Sequence, residues 1–274
     1  MQKSVTVLKP TSGWRGINIS ELMEYKDLLW FLTIRGIKAK YAQSVLGVGW
    51  AVIQPLFSTV VFTVVFGTLA NVSSDGVPYF LFSLAALVPW NYFSNTLTDS
   101  TNSLVMNANM ISKVYFPRIV LPLSAVFSKV IDFAIGLIML FIFLIVYRIP
   151  LSFEVIYLPV LVLILLLASL GVGMMLAAMA VQYRDVKHAM SFLTQLLMYA
   201  APVVYPASKV PESYQLLYAL NPMVGVIEGF RSILLHTNPI PWSFIAIGAA
   251  VSIILFFVGS FYFRKMERVF ADVV

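Results

Sequence analysis

The chain has 274 residues, of which 60% are hydrophobic and only 11% are charged, and its formal net charge is +6. Soluble domains carry about 25% charged residues, and here the apolar residues fall in runs of roughly 20, long enough to cross a hydrocarbon core of about 30 Å. The sequence has no cysteine, which excludes disulfides, iron–sulfur clusters and thiolate zinc sites. We therefore expect an all-α polytopic membrane protein that binds no metal and no nucleic acid, with its basic residues at the membrane boundaries.

Residues 1–42 are predicted to form a cytoplasmic arm followed by an interfacial amphipathic helix. The first 18 residues are polar and contain a proline and a glycine, which indicates an irregular arm. From Ser20 onwards apolar residues recur at helical spacing. Arg35, Lys38 and Lys40 fall at the far end, where cations suit both the helix dipole and anionic lipid headgroups. A soluble helix that packs on a partner protein is the alternative.

The remaining residues, 43–274, are predicted to form one transmembrane domain with six spans. The predicted spans are residues 46–70, 79–103, 119–146, 154–180, 188–205 and 241–263. Fourteen lysines and arginines then lie on one side of the membrane and three on the other, with Lys129 inside span three. The positive-inside rule places both termini in the cytoplasm.

Residues 206–238, between spans five and six, are punctuated by prolines. Asn221 followed by Pro222 predicts a helix N-cap and a proline in the first helical turn. The two helical pieces, about 212–220 and 222–235, are each too short to cross the membrane. We expect a pair of re-entrant or surface helices on the outer side. A crossing by this segment is the alternative, but it would place the basic C-terminal tail outside.

Recognisable catalytic chemistry is missing from the sequence. No phosphate-binding G-x-x-x-x-G-K-[ST] loop occurs, so we do not expect the chain to hydrolyse nucleotides. The spans also lack the row of acidic residues that is typical of proton-driven transporters. The sequence therefore predicts a transport subunit, not an enzyme, and any energy for transport must come from another subunit.

Span two carries a polar stripe. Asn91, Asn95, Thr98 and Asn102 lie on one helix face, which must meet protein or a water-filled path. Pore lining and interhelical hydrogen bonding both explain such a stripe.

Three ionisable residues also fall within the spans. Lys129 and Asp132 are three positions apart and are candidates to pair on one face, with Asp99 as a second candidate partner. Structural pairing and a transport role are the two interpretations.

Aromatic and amide residues share helix faces in spans one and five. Trp50, Gln54 and Phe57 lie on one face of span one, and Gln195 and Tyr199 lie on span five. Aromatic rings stack on sugar rings and amides bind hydroxyl groups, whereas anchoring at the membrane interface is the alternative role.

The loop of residues 104–118, between spans two and three, contains a short polar and aromatic helical stretch that ends at Pro117. Such a helix can transmit force from a docked cytoplasmic partner, and an ordinary hairpin loop is the alternative.

In this order, these segments resemble the membrane subunit of two-component ABC-2 exporters of cell-surface polysaccharides, which include O-antigen, capsule and teichoic-acid permeases. The resemblance runs from about Ser20 to Arg268. It rests on Arg35 through Tyr41 followed by Leu46-Gly47, Trp50 and Pro55, on the run from Asn109 to Arg118, on Tyr183-Arg184-Asp185-Val186, and on Asn221-Pro222-Met223 with Glu228 and Arg231.

The resemblance implies a homodimer in the bacterial inner membrane, bound to two copies of a separate ATPase. ATP and Mg²⁺ would bind that partner, and this chain would bind no cofactor. The residues implied to contact the ATPase are Asn107, Asn109, Ser112, Lys113, Tyr115, Phe116, Pro117 and Arg118. Those implied to form the outer gate are Pro211, Asn221, Pro222, Glu228 and Arg231.

The substrate implied is an isoprenoid-diphosphate-linked polysaccharide, with its lipid tail left in the bilayer. Arg35, Lys38 or Lys40 would meet the diphosphate, and the loop at Leu46-Gly47 would lie where the substrate enters. The expected glycan path comprises Trp50, Gln54, Phe57, Asn91, Asn95, Gln195 and Tyr199. The competing hypotheses are an ABC-2 exporter of drugs or small lipids, and a passive channel.

Overall fold

The structure is a computed structural model, and it describes residues 19–42 and 46–267. The expected arm of residues 1–18 and the tail from Arg268 lie outside the described residues. All regular elements in the described part of the chain are helices, with no strand among them. The α-helices are α1 (Ile19–Glu24), α2 (Lys26–Tyr41), α3 (Trp50–Phe62), α4 (Tyr79–Met106), α5 (Ala108–Ile111), α6 (Val120–Ser128), α7 (Val130–Val146), α8 (Leu158–Gln182), α9 (Asp185–Tyr199), α10 (Glu212–Ala219), α11 (Pro222–Leu235) and α12 (Trp242–Glu267).

Four helical runs in the described residues are long and apolar enough to cross a membrane. They are Gly47–Leu69, Val120–Val146, Phe153–Gln182 and Trp242–Glu267, and they match predicted spans one, three, four and six. The first continues from α3 through a π-helical segment, Thr63–Leu69. The crossings by α4 and α9 stay predictions.

The helix in the fifth predicted span is shorter than expected. α9 has 15 residues, about 22 Å at 1.5 Å per residue, and ends at Tyr199 instead of near residue 205. The boundary was wrong because Pro202 lacks the backbone N–H that a continuing helix needs. Turns follow the end of α9.

α4 lies at the centre of the bundle, in contact with α6, α7, α8 and α11. Most of its side chains are buried, including Ser83, Thr96, Ser100 and Thr101. A helix covered by other helices meets little lipid, so it can carry polar residues that a peripheral span could not. This position explains why α4 is less apolar than the other long helices.

α8 and α12 form the most extensive contact between two helices in the described residues, and glycines allow their backbones to approach closely. A Cβ atom on Gly259 would lie 2.1 Å from the carbonyl oxygen of Gly171, and one on Gly171 would lie 2.4 Å from the carbonyl carbon of Leu255. Membrane helices commonly use small residues to bring backbones together. These two glycines therefore fix the distance between spans four and six.

The predicted helix pair between spans five and six is present, but α11 is not a surface helix. All 14 of its residues are buried, against α4, α8 and α12, whereas α10 is largely exposed. The predicted cap is confirmed: the Asn221 side chain accepts a hydrogen bond from the Met223 N–H at 3.1 Å, and Pro222 occupies the first turn. Most side chains of α11 are apolar, and its two charged residues, Glu228 and Arg231, pair with each other, so the whole helix can be buried.

The predicted interfacial helix is two helices, because α1 and α2 are separated at Tyr25. α2 rests on α6 and buries only Leu32 and Thr33. α1 is held to α12 by Glu21, whose carboxylate lies 3.3 Å from the Arg264 guanidinium.

Candidate substrate path and coupling surface

Four residues of the expected glycan path line one small cavity between α3, α4 and α7. The cavity measures about 50 Å³, room for a few water molecules. Its polar and aromatic lining includes Lys40, Trp50, Gln54, Asn91, Asn95, Lys129 and Asp132. We call it the Trp50 cavity. The Trp50 cavity is lined both by Lys40 at the end of the interfacial helix and by Asn91 and Asn95 of the polar stripe. A hydrophilic path through these helices requires such a connection.

Asp132 is held by two residues of α2. The Lys40 ammonium lies 2.6 Å from the Asp132 carboxylate, and the Tyr41 hydroxyl donates to the other carboxylate oxygen. Burial, followed by the hydrogen bond to Asp132 and its negative charge, raises the pKa of Tyr41 above its ordinary value. Tyr41 therefore stays a neutral hydrogen-bond donor, and the two contacts fasten the end of α2 to the start of α7.

Lys129 pairs with Asp99, at 2.5 Å, and not with Asp132. The first-named candidate pair, Lys129 with Asp132, is therefore wrong, and the second candidate partner is confirmed. The i,i+3 spacing predicts a pair only within one continuous helix, and the helix is interrupted at Lys129, between α6 and α7. Each aspartate instead meets a lysine from another helix.

Arg35 lines a second, larger cavity of about 300 Å³ between α2, α4 and α6. Its polar lining comprises Arg35, Asp99, Asn102, Ser103, Asn107, Ser124 and Ser128. We call it the Arg35 cavity. Because Asp99 lines this cavity and its partner Lys129 lines the Trp50 cavity, their ion pair lies where the two cavities adjoin.

The polar stripe of α4 is thus divided between two cavities. Asn91 and Asn95 open into the Trp50 cavity and Asn102 into the Arg35 cavity. The Thr98 hydroxyl and the Asn102 amide donate to carbonyls four residues earlier in α4, at 3.0 and 2.9 Å. The hydrogen bonds of Thr98 and Asn102 thus stay within α4.

The other expected path residues are exposed on this chain and line neither cavity. They are Lys38, Leu46, Phe57, Gln195 and Tyr199. Gly47, also outside both cavities, adopts a positive φ of 48°, the left-handed conformation that glycine tolerates, and begins the turn into span one. The face of α3 that bears Phe57, 69% exposed, is therefore open to lipid or to another chain.

The predicted coupling loop has an exposed polar surface, formed by Asn109, Ser112, Lys113 and Tyr115 and called the crest below. These residues lie on and just after α5, and the Asn107 amide donates to the Ser103 carbonyl at 2.8 Å. Partial burial raises the pKa of Tyr115 above its ordinary value, and the negative charges of Glu21 and Glu267 raise it further.

Buried apolar residues follow the crest in the same loop. Phe116 and Pro117 are buried, and Phe116 belongs to a cluster with Leu32 of α2 and Phe263 of α12. The loop is therefore packed on the interfacial helix and on span six.

Glu267 is a residue that the sequence interpretation missed. Its carboxylate accepts the Arg118 backbone N–H at 3.1 Å, and its carbonyl accepts from the Arg118 guanidinium at 2.6 Å. It also lies 3.6 Å from Arg264, one helical turn away. Glu267 is the one acidic residue between the basic residues Arg264 and Arg268, and this was the available signal.

The expected outer-gate residues Glu228 and Arg231 form a buried ion pair at 3.0 Å. Arg231 is fully buried, and its guanidinium stacks on the ring of Phe82 at 3.4 Å from the ring centre. It also donates to the carbonyls of Val203, at 3.0 Å, and Phe82, at 3.2 Å. In this chain Arg231 therefore binds backbone groups and does not face an opening.

Side chains from α4 and α11 also hydrogen-bond the backbone of the segment between α9 and α10, which contains a short 3₁₀ helix at Ala207–Lys209. Glu228 accepts the Ala207 N–H at 3.1 Å, the Tyr79 hydroxyl donates to Val204 at 2.6 Å, and the Asn221 amide donates to the Ala200 carbonyl at 3.0 Å. Unpaired backbone groups are costly at membrane depth. α11 and α4 thus stabilise the bend that follows α9, and Pro211 immediately precedes α10.

Comparison with known proteins identifies the class. The family model of the ABC-2 type transporter matches residues 27–235, and the chain belongs to this family of transporter membrane components.

The chain is 32% identical over 257 residues to the O-antigen export system permease protein RfbA of Myxococcus xanthus, covering 93% of this chain and 98% of that protein. It is 28% identical over 249 residues to the permease of the same name from Klebsiella pneumoniae, covering 90% and 95%. The Polysialic acid transport protein KpsM of Escherichia coli is 21% identical over 245 residues, with coverage of 86% and 92%.

Proposed function

We propose that this chain is the permease subunit of an ABC transporter that exports a lipid-linked, O-antigen-like polysaccharide across the bacterial cytoplasmic membrane. The observation that carries the proposal is the similarity to an O-antigen export permease over nearly the full length of both chains. The polar and aromatic Trp50 cavity supports it, because amides and an indole ring suit a hydroxyl-rich substrate.

The proposed arrangement is a homodimer with six spans per subunit and both termini in the cytoplasm. α3 is mostly exposed, and α9 buries only Met190. A second copy would cover part of these apolar faces and close a conduit against the open side of the Trp50 cavity. Spans one and five would then form a lateral opening toward lipid, and α10 and α11 would lie on the outer side.

The proposed energy source is ATP hydrolysis by a separate subunit, two copies of which dock on the dimer. ATP and Mg²⁺ bind that partner in this proposal. The exposed crest of Asn109, Ser112, Lys113 and Tyr115 would seat on it. Because Phe116 packs against α2 and α12, displacement of the crest would move both helices.

The substrate diphosphate would meet the cations of α2 while the isoprenoid tail stays in lipid. Arg35 and Lys38 are exposed, whereas the positive charge of Lys40 is compensated by Asp132. We therefore assign the first contact with the diphosphate to Arg35 and Lys38. The glycan would continue past Trp50, Gln54, Asn91 and Asn95.

A second candidate is an ABC-2 exporter of small lipids or drugs. An apolar cavity of about 490 Å³ lies between α4, α8, α9, α10 and α12, lined in part by Trp90, Phe93 and Leu217. Such a lining suits a hydrophobic molecule better than a glycan.

Deletion of the chain from its host, followed by complementation, tests the proposal. We expect loss of surface polysaccharide and accumulation of the lipid-linked glycan inside the cell, both reversed by the intact chain. The Arg35→Gln, Lys38→Gln double variant should assemble with the ATPase but leave surface glycan absent. Unchanged surface glycan after deletion would contradict the proposed function, and export of a small lipid alone would favour the second candidate.

A further inference from the structure

We propose that the Arg35 cavity binds the first sugar residues of the exported chain, those next to the diphosphate. The inference rests on the proposed export of a lipid-linked glycan, and it adds a glycan site distinct from the Trp50 cavity. The volume of about 300 Å³ falls at the lower end of the roughly 300–1,000 Å³ typical of ligand pockets. The cavity is therefore large enough for a small part of a chain, and not for a long segment.

The hydrogen-bonding character of the wall carries the inference. The hydroxyls of Ser124 and Ser128 each donate to a carbonyl three residues earlier in α6, at 2.8 Å. The amides of Asn102 and Asn107 each donate to a carbonyl four residues earlier, at 2.9 and 2.8 Å. These donations leave the two hydroxyl oxygens and the two amide oxygens as acceptors for a ligand, with one N–H of each amide as a remaining donor.

Asp99 adds a carboxylate to the same wall. Its charge is balanced by Lys129, which approaches from the side of the Trp50 cavity. A wall rich in acceptors binds a ligand that brings O–H donors, as the hydroxyls of a sugar do. A phosphate brings only acceptor oxygens, so it could use Arg35 and the second N–H of each amide but would leave the serine oxygens and the Asp99 carboxylate without donors from the ligand.

Arg35 and Lys38 are exposed on α2, and Arg35 lies at the cavity. A substrate with its diphosphate on these cations would therefore direct its first sugar into the cavity. Leu32 and Leu121 supply apolar surface for the C–H face of the ring. Asn107 joins the cavity wall to α5, so an occupied cavity lies beside the surface proposed to dock the ATPase.

Cysteine protection tests the site, because the chain has no native cysteine. The variant is Ser128→Cys, a nearly isosteric change at a partly exposed position of the cavity wall. The matched control is Ser213→Cys, at an exposed position of α10. Each variant is purified with its ATPase in nanodiscs and labelled with a small water-soluble thiol reagent. The probes are the oligosaccharide released by mild acid from the lipid-linked glycan of the host, and inorganic pyrophosphate.

We expect the oligosaccharide to slow labelling of Ser128→Cys several-fold, and pyrophosphate, held on Arg35 at the cavity, to slow it less. Neither probe should affect labelling of Ser213→Cys. Protection by pyrophosphate that equals or exceeds protection by the oligosaccharide would make the cavity an anion site and overturn the inference. Absence of protection, or equal protection of both cysteines, would also overturn it.

A second variant separates this inference from the proposed function. Ser128→Leu fills the cavity and should abolish surface glycan while the complex with the ATPase still forms. Normal export by Ser128→Leu would refute the glycan site and leave the proposed function standing. Failure of the proposed function would appear instead as glycan export that is independent of the chain.

Discussion

The guanidinium of Arg118 lies 2.6 Å from the main-chain carbonyl oxygen of Glu267, which is 149 positions later in the sequence. The Glu267 carboxylate returns a contact by accepting the Arg118 backbone N–H at 3.1 Å. The loop after α5 is thereby tied to the last turn of α12, and Arg264 extends the connection to Glu21 of α1. These contacts connect the loop directly to α12 and, through Arg264, to α1.

Glu267→Ala should uncouple ATP hydrolysis from transport. The substitution removes the acceptor for the Arg118 N–H and a partner of Arg264, at a cost to stability of about 1 kcal/mol. We expect glycan export to fall several-fold while basal ATP hydrolysis continues, measured on the same reconstituted complex. Glu212→Ala, on exposed α10, is the control. If Glu267→Ala keeps glycan export fully coupled to ATP hydrolysis, the contacts of Glu267 with Arg118 and Arg264 are not needed for coupling.

Arg231→Met should be strongly destabilising. It leaves Glu228 as a buried charge without its partner and removes donors from the carbonyls of the bend after α9. Breaking a buried ion pair from one side costs about 3–5 kcal/mol. The thermal unfolding midpoint in detergent should fall sharply, whereas Lys209→Met, at an exposed position, should not change it.

The double variant Glu228→Leu, Arg231→Met should recover only part of this loss. It removes the unpaired charge, but the Val203 carbonyl and the Ala207 N–H still lose these side-chain partners. Complete recovery would mean that the backbone contacts of Arg231 contribute nothing to stability.

Double-mutant cycles on the unfolding free energy distinguish the two ion-pair arrangements. The pairs Lys40–Asp132 and Lys129–Asp99 should each show a coupling energy of roughly 1 kcal/mol, since both are partly exposed. The pair Lys129–Asp132, which the sequence spacing favours, should show smaller coupling. The reverse order would contradict the pairing described above.

Gly259→Ala should separate α8 from α12. Its added Cβ would lie 2.1 Å from a backbone oxygen, which cannot move aside as a side chain can. Overpacking typically costs about 1–3 kcal/mol, so folded protein recovered from membranes should decrease. Gly49→Ala is the control, because its Cβ would meet only side-chain atoms at 3.8 Å or beyond. Equal yields of the two variants would contradict the close approach.

Local sequence patterns predicted the local structure well. Asn221 and Pro222 were recognised as a cap and first turn because capping depends on neighbouring residues alone. The long apolar helices followed from composition. α9 was extended past Pro202 because the apolar pattern continues beyond the residue that ends the helix.

Contacts between distant segments could not be read from the sequence. Asp132 meets Lys40 because α2 lies against α6 at the start of α7, a relationship that spacing along one helix does not encode. Glu267 was missed for the same reason, since its partner Arg118 is remote in sequence. The burial of α11 likewise depends on which helices surround it.

Transport in proteoliposomes tests the central claim most directly. The chain is reconstituted with its ATPase, and the lipid-linked polysaccharide is added to the leaflet on the ATPase side. We predict ATP-dependent appearance of the glycan across the membrane, absent when either subunit is omitted. Hydrolysis of ATP without glycan movement, or glycan movement that needs neither ATP nor the ATPase, would contradict the account.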